Sequence, residues 1–282
     1  MAFPPINRRR FIKRVAAAGV AAIAVDSTLI EPNRPRLIRQ EIALRRWPSR
    51  LDGFTIALLS DFHYDPYFSV HPIRSAVEVV NGLQPDLIAL TGDFVSVPLV
   101  GDSAKGAADA EPCAQLLGKL RAPHGVWSVL GNHDVFSNAA RVTDALDAVG
   151  IPMLSNKSVA IEKDGARFWL GGVEDVLAGR ADVPGTLRGI PGEEAVVLMA
   201  HEPDYADYVA GYPVDLQLSG HTHGGQVIVP IEGTRYAPVK DKRYIAGLKP
   251  WGARQIHVTR GVGNVGGVRF RCRPEVSTLV VA

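Results

Sequence analysis

Short apolar runs recur along this chain, and most of them end abruptly in glycine or a polar residue. Such runs occupy 54–60, 86–91, 126–130, 167–172, 195–200, 215–219, 226–230, 255–259 and 277–281. They are too short for helices, which predicts strands. Helical periodicity is rarer. Pro72 followed by apolar residues at 73, 76, 77 and 80 predicts a helix over 72–83, with further helices at 113–120 and at 138–149, the last stopped by Gly150. Strands and helices alternate in the first half, and strands dominate the second. That order predicts an α/β fold in which two sheets pack face to face with helices outside. The one long irregular stretch, 96–112, is rich in Gly, Ala and Asp, and such loops often form the rim or lid of a site.

Length and composition bound the picture further. At 282 residues, 46% hydrophobic and 21% charged, the chain has room for one sizeable domain, expected over 51–282. The formal charge of +2 conceals an asymmetry. Residues 1–24 hold Arg8, Arg9, Arg10, Lys13 and Arg14 and no acid, so the remainder carries 26 basic against 29 acidic residues. A mildly acidic body is a poor match for nucleic acid, and no such partner is expected. The basic cluster precedes a small-residue apolar run at 15–25, with Ala22-Ile23-Ala24 as a cleavage site. The pattern is similar to a twin-arginine signal, with Asn7 and Ile12 at the flanking positions, and implies the twin-arginine export machinery as a partner and an envelope location outside the cytoplasm. The apolar run is short for a membrane span, although retention as an anchor stays open. Residues 25–50 read as a linker that can hold an edge strand at 36–44. Cys113 and Cys272 are the only cysteines and are expected to be unpaired, and the protein is expected to be a monomer.

The ends of the apolar runs carry the chemistry. The run at 56–60 delivers Asp61 and His63, and the run at 87–91 delivers Gly92-Asp93. The run at 126–130 delivers Gly131-Asn132-His133-Asp134, the run at 195–200 delivers His201, and the run at 216–219 delivers Gly220-His221-Thr222-His223. Ligands of open α/β sheets bind at the carboxyl ends of the strands, so this linear list is expected to converge in space. Asp61-x-His63 and His221-x-His223, if extended, would each aim two donors to one side. Carboxylate, imidazole and amide donors without thiolate suit Mn, Fe, Ni, Co or catalytic Zn.

These motifs, in this order, resemble the calcineurin-like metallophosphoesterase superfamily. His201-Glu202-Pro203-Asp204, the segment from Gly220 to Gln226, Arg260-Gly-Val-Gly263 and the segment from Phe270 to Glu275 are similar to a bacterial subgroup of exported phosphoesterases. The resemblance implies a four-layer αββα sandwich of two mixed sheets. It implies two divalent ions, Mn foremost, with Asp93 bridging them. Asp61, His63 and His223 would complete one site, and Asn132, His201 and His221 the other. Two ions about 3.5–4 Å apart clamp the attacking and leaving oxygens of a displacement and activate a hydroxide. His133 would protonate the leaving oxygen, with Asp134 raising its pKa and setting its tautomer. The expected substrate is a phosphodiester or phosphomonoester of the envelope, from a membrane lipid or wall polymer. A pyrophosphate of a lipid-linked sugar nucleotide, such as UDP-2,3-diacylglucosamine, is the alternative. A non-catalytic binder has no use for a His–Asp acid pair, and a mononuclear oxygenase needs fewer ligands than these seven.

Other features are weaker. Gly261-Val-Gly263-Asn-Val-Gly266 has the dinucleotide-binding spacing, but no helix follows, and a rim turn is expected. Tyr64, Tyr67 and Phe68 are rim packing or a substrate edge. Arg269, Arg271 and Arg273 alternate, and either meet phosphate or are solvated. His71, His124 and His257 lie outside the motifs.

Overall fold

The computed structural model describes residues 7–98, 102–234 and 236–282. Its first sheet has the order β1 (Arg36–Ile42), β13 (Glu275–Val281), β2 (Phe54–Leu59), β3 (Leu87–Leu90) and β4 (Val126–Ser128). The second has the order β11 (Gly247–Trp251), β12 (Arg254–Val258), β8 (Leu216–Ser219), β7 (Val196–Met199), β6 (Ala166–Gly172) and β5 (Lys157–Lys163). Both sheets are mixed. The pairs β13–β2, β11–β12 and β5–β6 are antiparallel and the remaining pairs parallel. A separate two-stranded hairpin joins β9 (Ile228–Val229) to β10 (Gly233–Thr234).

Strand β2 shows why the runs are apolar throughout. Ile56 and Leu58 point between the sheets, into a cluster with Phe168, Leu170, Val197 and Leu218. Ala57 and Leu59 point the other way, into a cluster with Ile73, Val77, Leu117 and Leu146. Those partners come from α2 (Val70–Leu83), α3 (Ala110–Leu117) and α4 (Asn132–Asp147). The outer face of the second sheet is covered by the short helices α5 (Val183–Thr186) and α6 (Ala206–Val209), through Val183, Val196, Leu198 and Val209. The architecture is the αββα sandwich.

Several boundaries moved. The run at 226–230 yields only the two-residue β9, whereas β5 and β11 were missed, because they are partly exposed edge strands with Lys, Glu and Pro among their residues. Helix α4 begins six residues earlier than its periodicity suggested. Asn138 interrupts it with φ −171° and ψ 95° and caps the second part through Oδ1, which accepts from Arg141 N–H.

Residues 25–50 are integral to the fold. β1 pairs along its whole length with β13. Arg46 donates to both oxygens of Asp215, and Trp47 packs its ring 4.8 Å from Phe168 in the inter-sheet core. The first helix, α1 (Arg8–Val25), buries none of its side chains. It continues through a π-turn and a 3₁₀ turn, so that the helical run Arg8–Asn33 is long and apolar enough to cross a membrane, longer than the apolar run alone suggested.

Candidate metal centre

The carboxyl ends of β2, β3, β4, β7 and β8 deliver the polar motifs to one place. Loop backbones lock to one another there: Asp61 N–H donates to Gly92 O, His63 N–H to Asp93 O and Gly220 N–H to His201 O, at 2.9 to 3.0 Å. The donors are not presented by extended chain, contrary to the alternation argument. Asp61, His63, Asp93, His221 and His223 have φ of 53°, 40°, 55°, 70° and 52°. Left-handed backbone at five non-glycine residues costs conformational energy, and such strain gathers where a site demands a particular direction. Glycine is needed beside them. A Cβ on Gly131 would collide with the Asp93 carboxylate, and one on Gly220 with Ser60 and Asp61.

Three overlapping donor groups result. Asp61, His63 and His223 form the first, Asp93, His201 and His221 the second, and His63, Asp93 and His133 a third that shares members with the other two. In the first, the Nε2 atoms of His63 and His223 lie 3.0 Å apart; in the second, His201 Nε2 lies 3.2 Å from His221 Nδ1. Nitrogens that share an ion at about 2.1 Å stand at about this separation. Asp93 Oδ2 lies 3.4 Å from His63 Nε2 and 3.2 Å from His201 Nε2, so a single oxygen faces the first two groups. Its other oxygen accepts the backbone N–H of His133 at 2.9 Å. Asp61 Oδ2 and Asn132 Oδ1 are buried without a hydrogen-bond partner. Buried polar atoms are rarely left so, and oxygens beside convergent imidazoles fit a pair of divalent cations.

Ring orientations are set by groups that sequence reading did not single out. His201 Nδ1 donates to Thr91 O at 2.6 Å, leaving Nε2 for the site. His63 Nδ1 is 3.0 Å from Ser96 Oγ. Thr91 directly follows β3 and Ser96 lies in the loop beyond it, and only proximity reveals them. Electrostatics are severe. Burial pushes Asp93 up, but the charges and hydrogen bonds of His201 and His63 outweigh it and hold the carboxylate well below its usual range. The same pairing with Asp93 raises His201 well above an ordinary imidazole despite its burial. Burial and then His201 push His221 down to about 3, and burial and then His63 drive His223 well down. Burial raises Asp61. Next to His201 in sequence, Glu202 is pushed up to about 8 by burial and then by the neighbouring Asp175 carboxylate.

The His133–Asp134 pair requires a correction. Asp134 is fully buried, and its oxygens accept from the N–H groups of Phe94, Val95 and Gly131 at 2.8 to 3.1 Å. Burial and then the Asp93 charge push it up to about 7. It holds the backbone after Asp93 and the first turn of α4, and does not set the tautomer of His133. That tautomer is set by Val97, whose N–H donates to His133 Nδ1 at 2.9 Å and leaves the neutral ring's proton on Nε2. Burial pushes His133 down to about 4, with Asp93 the leading opposing charge.

A cleft of about 690 Å³ opens over Asp93, Asn132, His133, His221 and His223. Its apolar wall is Leu177, Tyr236, Pro238 and Val265, not the tyrosines and phenylalanine after the first motif. Tyr64 packs against the helix-side core, Tyr67 is exposed, and Phe68 lies against Gly267. Leu177 and Tyr236 lie on loops without a metal motif, which is why no sequence signal marked them. The glycine triplet at 261–266 is a rim turn. Gly263 N–H donates to Asp61 O at 2.8 Å, and a Cβ on Gly261 would stand 2.6 Å from that of Asp61. Arg269 is fully buried and donates to Gly263 O, Cys272 O and Arg260 O, so it staples this turn and does not meet solvent. His257 is buried against Ser277, and both cysteines are buried and unpaired.

Two mixed sheets that present convergent acidic, amide and imidazole donors at their carboxyl ends are the architecture of a metallophosphoesterase. Residues 54–225 match the calcineurin-like phosphoesterase family, and the chain belongs to it. It is 35% identical to the phosphodiesterase YaeI of Escherichia coli over 97% of this chain and 98% of that one. It is 32% identical to the metallophosphoesterase YkuE of Bacillus subtilis, covering 98% of each. A transmembrane protein with a metallophosphoesterase domain from Danio rerio is 27% identical over 93% of this chain and 60% of its own length. The chain is accordingly a hydrolase of phosphate esters with a candidate metal-binding cluster.

Proposed function

We propose that this protein hydrolyses a phosphodiester of the cell envelope, using Asp61, His63 and His223 for one divalent ion and Asn132, His201 and His221 for a second. Asp93 bridges them. The observation that carries this reading is the single oxygen of Asp93 lying 3.2 to 3.4 Å from imidazoles of both groups. When bound, the ions, Mn foremost, supply Lewis acidity and a water nucleophile active near neutral pH. Val97 holds the Nε2–H of the neutral His133 ring toward the cleft, where it can donate a hydrogen bond to the leaving oxygen as negative charge develops there.

The cleft supports a diester over a monoester. No Lys or Arg is among its described lining residues, whereas a dianionic monoester calls for such cations. Leu177, Tyr236, Pro238 and Val265 offer instead an apolar wall to the second ester substituent. The similarity to a phosphodiesterase adds to this. A signal-like basic cluster before an apolar helix supports an envelope location, with the twin-arginine machinery as the exporter and a lipid or wall-polymer phosphate as substrate. A pyrophosphate of a lipid-linked sugar nucleotide is the second reading, favoured by the same apolar wall.

The test compares Mn-loaded enzyme on bis-p-nitrophenyl phosphate, p-nitrophenyl phosphate, phosphatidylglycerol and a lipid-linked pyrophosphate. Diester turnover exceeding monoester turnover, and abolished in Asp93→Ala together with both ions, is expected. Preference for the monoester overturns the diester assignment, and metal-independent turnover overturns the site.

A further inference from the structure

A hairpin tip beside the cleft carries an isoleucine that the fold neither buries nor relaxes. In the turn between β9 and β10, Ile231 has φ 75° and is fully exposed, at 108% of its reference area. Left-handed backbone is strongly disfavoured for a β-branched side chain, and full exposure forfeits all that its burial could contribute. Strain of this kind points to a use elsewhere.

The hairpin adjoins the two other apolar features of this region. Ile228 N–H donates to Phe270 O at 2.9 Å and Phe270 N–H to Gln226 O at 3.0 Å, joining the hairpin to the segment 269–272. The same segment seats the root of the N-terminal helix. Arg269 N–H donates to Ser27 O at 2.9 Å and Arg271 N–H to Glu31 Oε2 at 2.8 Å. Gln226, at the start of the hairpin, also lines the cleft and clasps Val265 through both ends of its side chain. Apolar helix, hairpin tip and cleft mouth are therefore contiguous. Tyr236 and Val227 add exposed apolar surface, as does Phe68 against the 264–267 loop.

Charge is segregated to match. Residues 226–282 hold 10 Lys and Arg against 3 Asp and Glu, whereas 25–225 hold 16 against 26. Among the described basic residues of 226–282, only Arg269 is buried. Of the others, Arg271 and Arg273 are exposed on or directly after the segment that adjoins the hairpin, where they complement anionic headgroups.

We propose that this is a membrane-docking face, in which Ile231 enters the interface of an anionic phospholipid bilayer and the cleft opens onto the headgroup layer. The helix of 18 residues, about 27 Å long and rooted on the adjoining segment, tethers the same face. The purpose of docking rests on the phosphodiesterase reading, but the docking itself does not, and its test uses no catalysis.

The full chain is labelled with an environment-sensitive nitrobenzoxadiazole at Ile231→Cys, the two native cysteines being buried. A control carries the probe at Asp164→Cys, in the β5–β6 turn at the opposite ends of the strands. Vesicles of phosphatidylcholine containing about a third phosphatidylglycerol should blue-shift the emission at position 231 and raise it about twofold or more, and leave position 164 unchanged. High salt should weaken the change. If the protein floats with the vesicles while the probe at 231 stays in a water-like environment, the helix alone binds lipid and the proposal is overturned. An equal response at both positions overturns it too, because the contact is then not specific to this face.

Discussion

Three buried amide N–H groups converge on Asp134, so its removal strikes the backbone before the chemistry. Asp134→Ala leaves Phe94, Val95 and Gly131 without their acceptor, and a loss of about 3–5 kcal/mol in stability is expected by denaturant titration. Metal content should fall with it, because Phe94 directly follows Asp93. Had Asp134 served only to tune His133, Asp134→Asn would shift the pH profile at unchanged stability; that outcome would restore the role read from sequence. His133 itself touches the cleft and not the structural network. In His133→Asn, kcat should fall about a hundredfold on esters with poor leaving groups and much less on nitrophenyl esters, with metal content retained. Loss of an ion in that variant would make His133 a ligand. The list of donors was legible in the sequence because each stands just past an apolar run. The roles within the list were not, since they depend on which ring nitrogen meets Val97, Thr91 or Ser96.

At the scale of elements, the two sheets are tied at the end remote from the site by Asp86, just before β3. It accepts from Thr55 N–H and Oγ1 and from Lys163 Nζ at 2.7 to 2.9 Å, joining β2 to the end of β5 in the other sheet. Burial pushes Asp86 up, but the hydrogen bonds from Lys163 and Thr55 prevail and its pKa is lowered. A carboxyl lowered in the folded state contributes stability above its unfolded pKa and loses it as pH falls through the folded value. Asp86→Asn should therefore cost about 1 kcal/mol at pH 7, a modest figure because Lys163 is partly exposed. The difference from wild type should hold to about pH 5 and shrink below the ordinary carboxylate value near 3.9. Urea titrations across that range measure it, and a difference that grows toward acid would show that the carboxylate is not the stabilising form. Interior strands β2, β3, β7 and β8 could be read from their apolar runs. Edge strands β5 and β11 could not, because their exposed positions carry the residues of a loop.

For the whole molecule, the N-terminal helical run is long and apolar enough to serve as a signal or an anchor. If the paired arginines address the chain to the twin-arginine exporter, Arg8→Lys with Arg9→Lys should hold it in the cytoplasm, as fractionation will show. A doubly substituted chain still found outside the membrane would sink that assignment while leaving the helix free to act as an anchor. The sequence by itself determined the αββα class and the set of candidate metal-binding side chains. Both follow from local patterns, the apolar run and the polar residue that ends it. Only the tertiary structure decided that Asp93 offers one oxygen to two donor groups, that Asp134 belongs to the backbone, and that Leu177 and Tyr236 wall the cleft. Those facts arise where loops from distant strands meet, and no local pattern encodes a meeting.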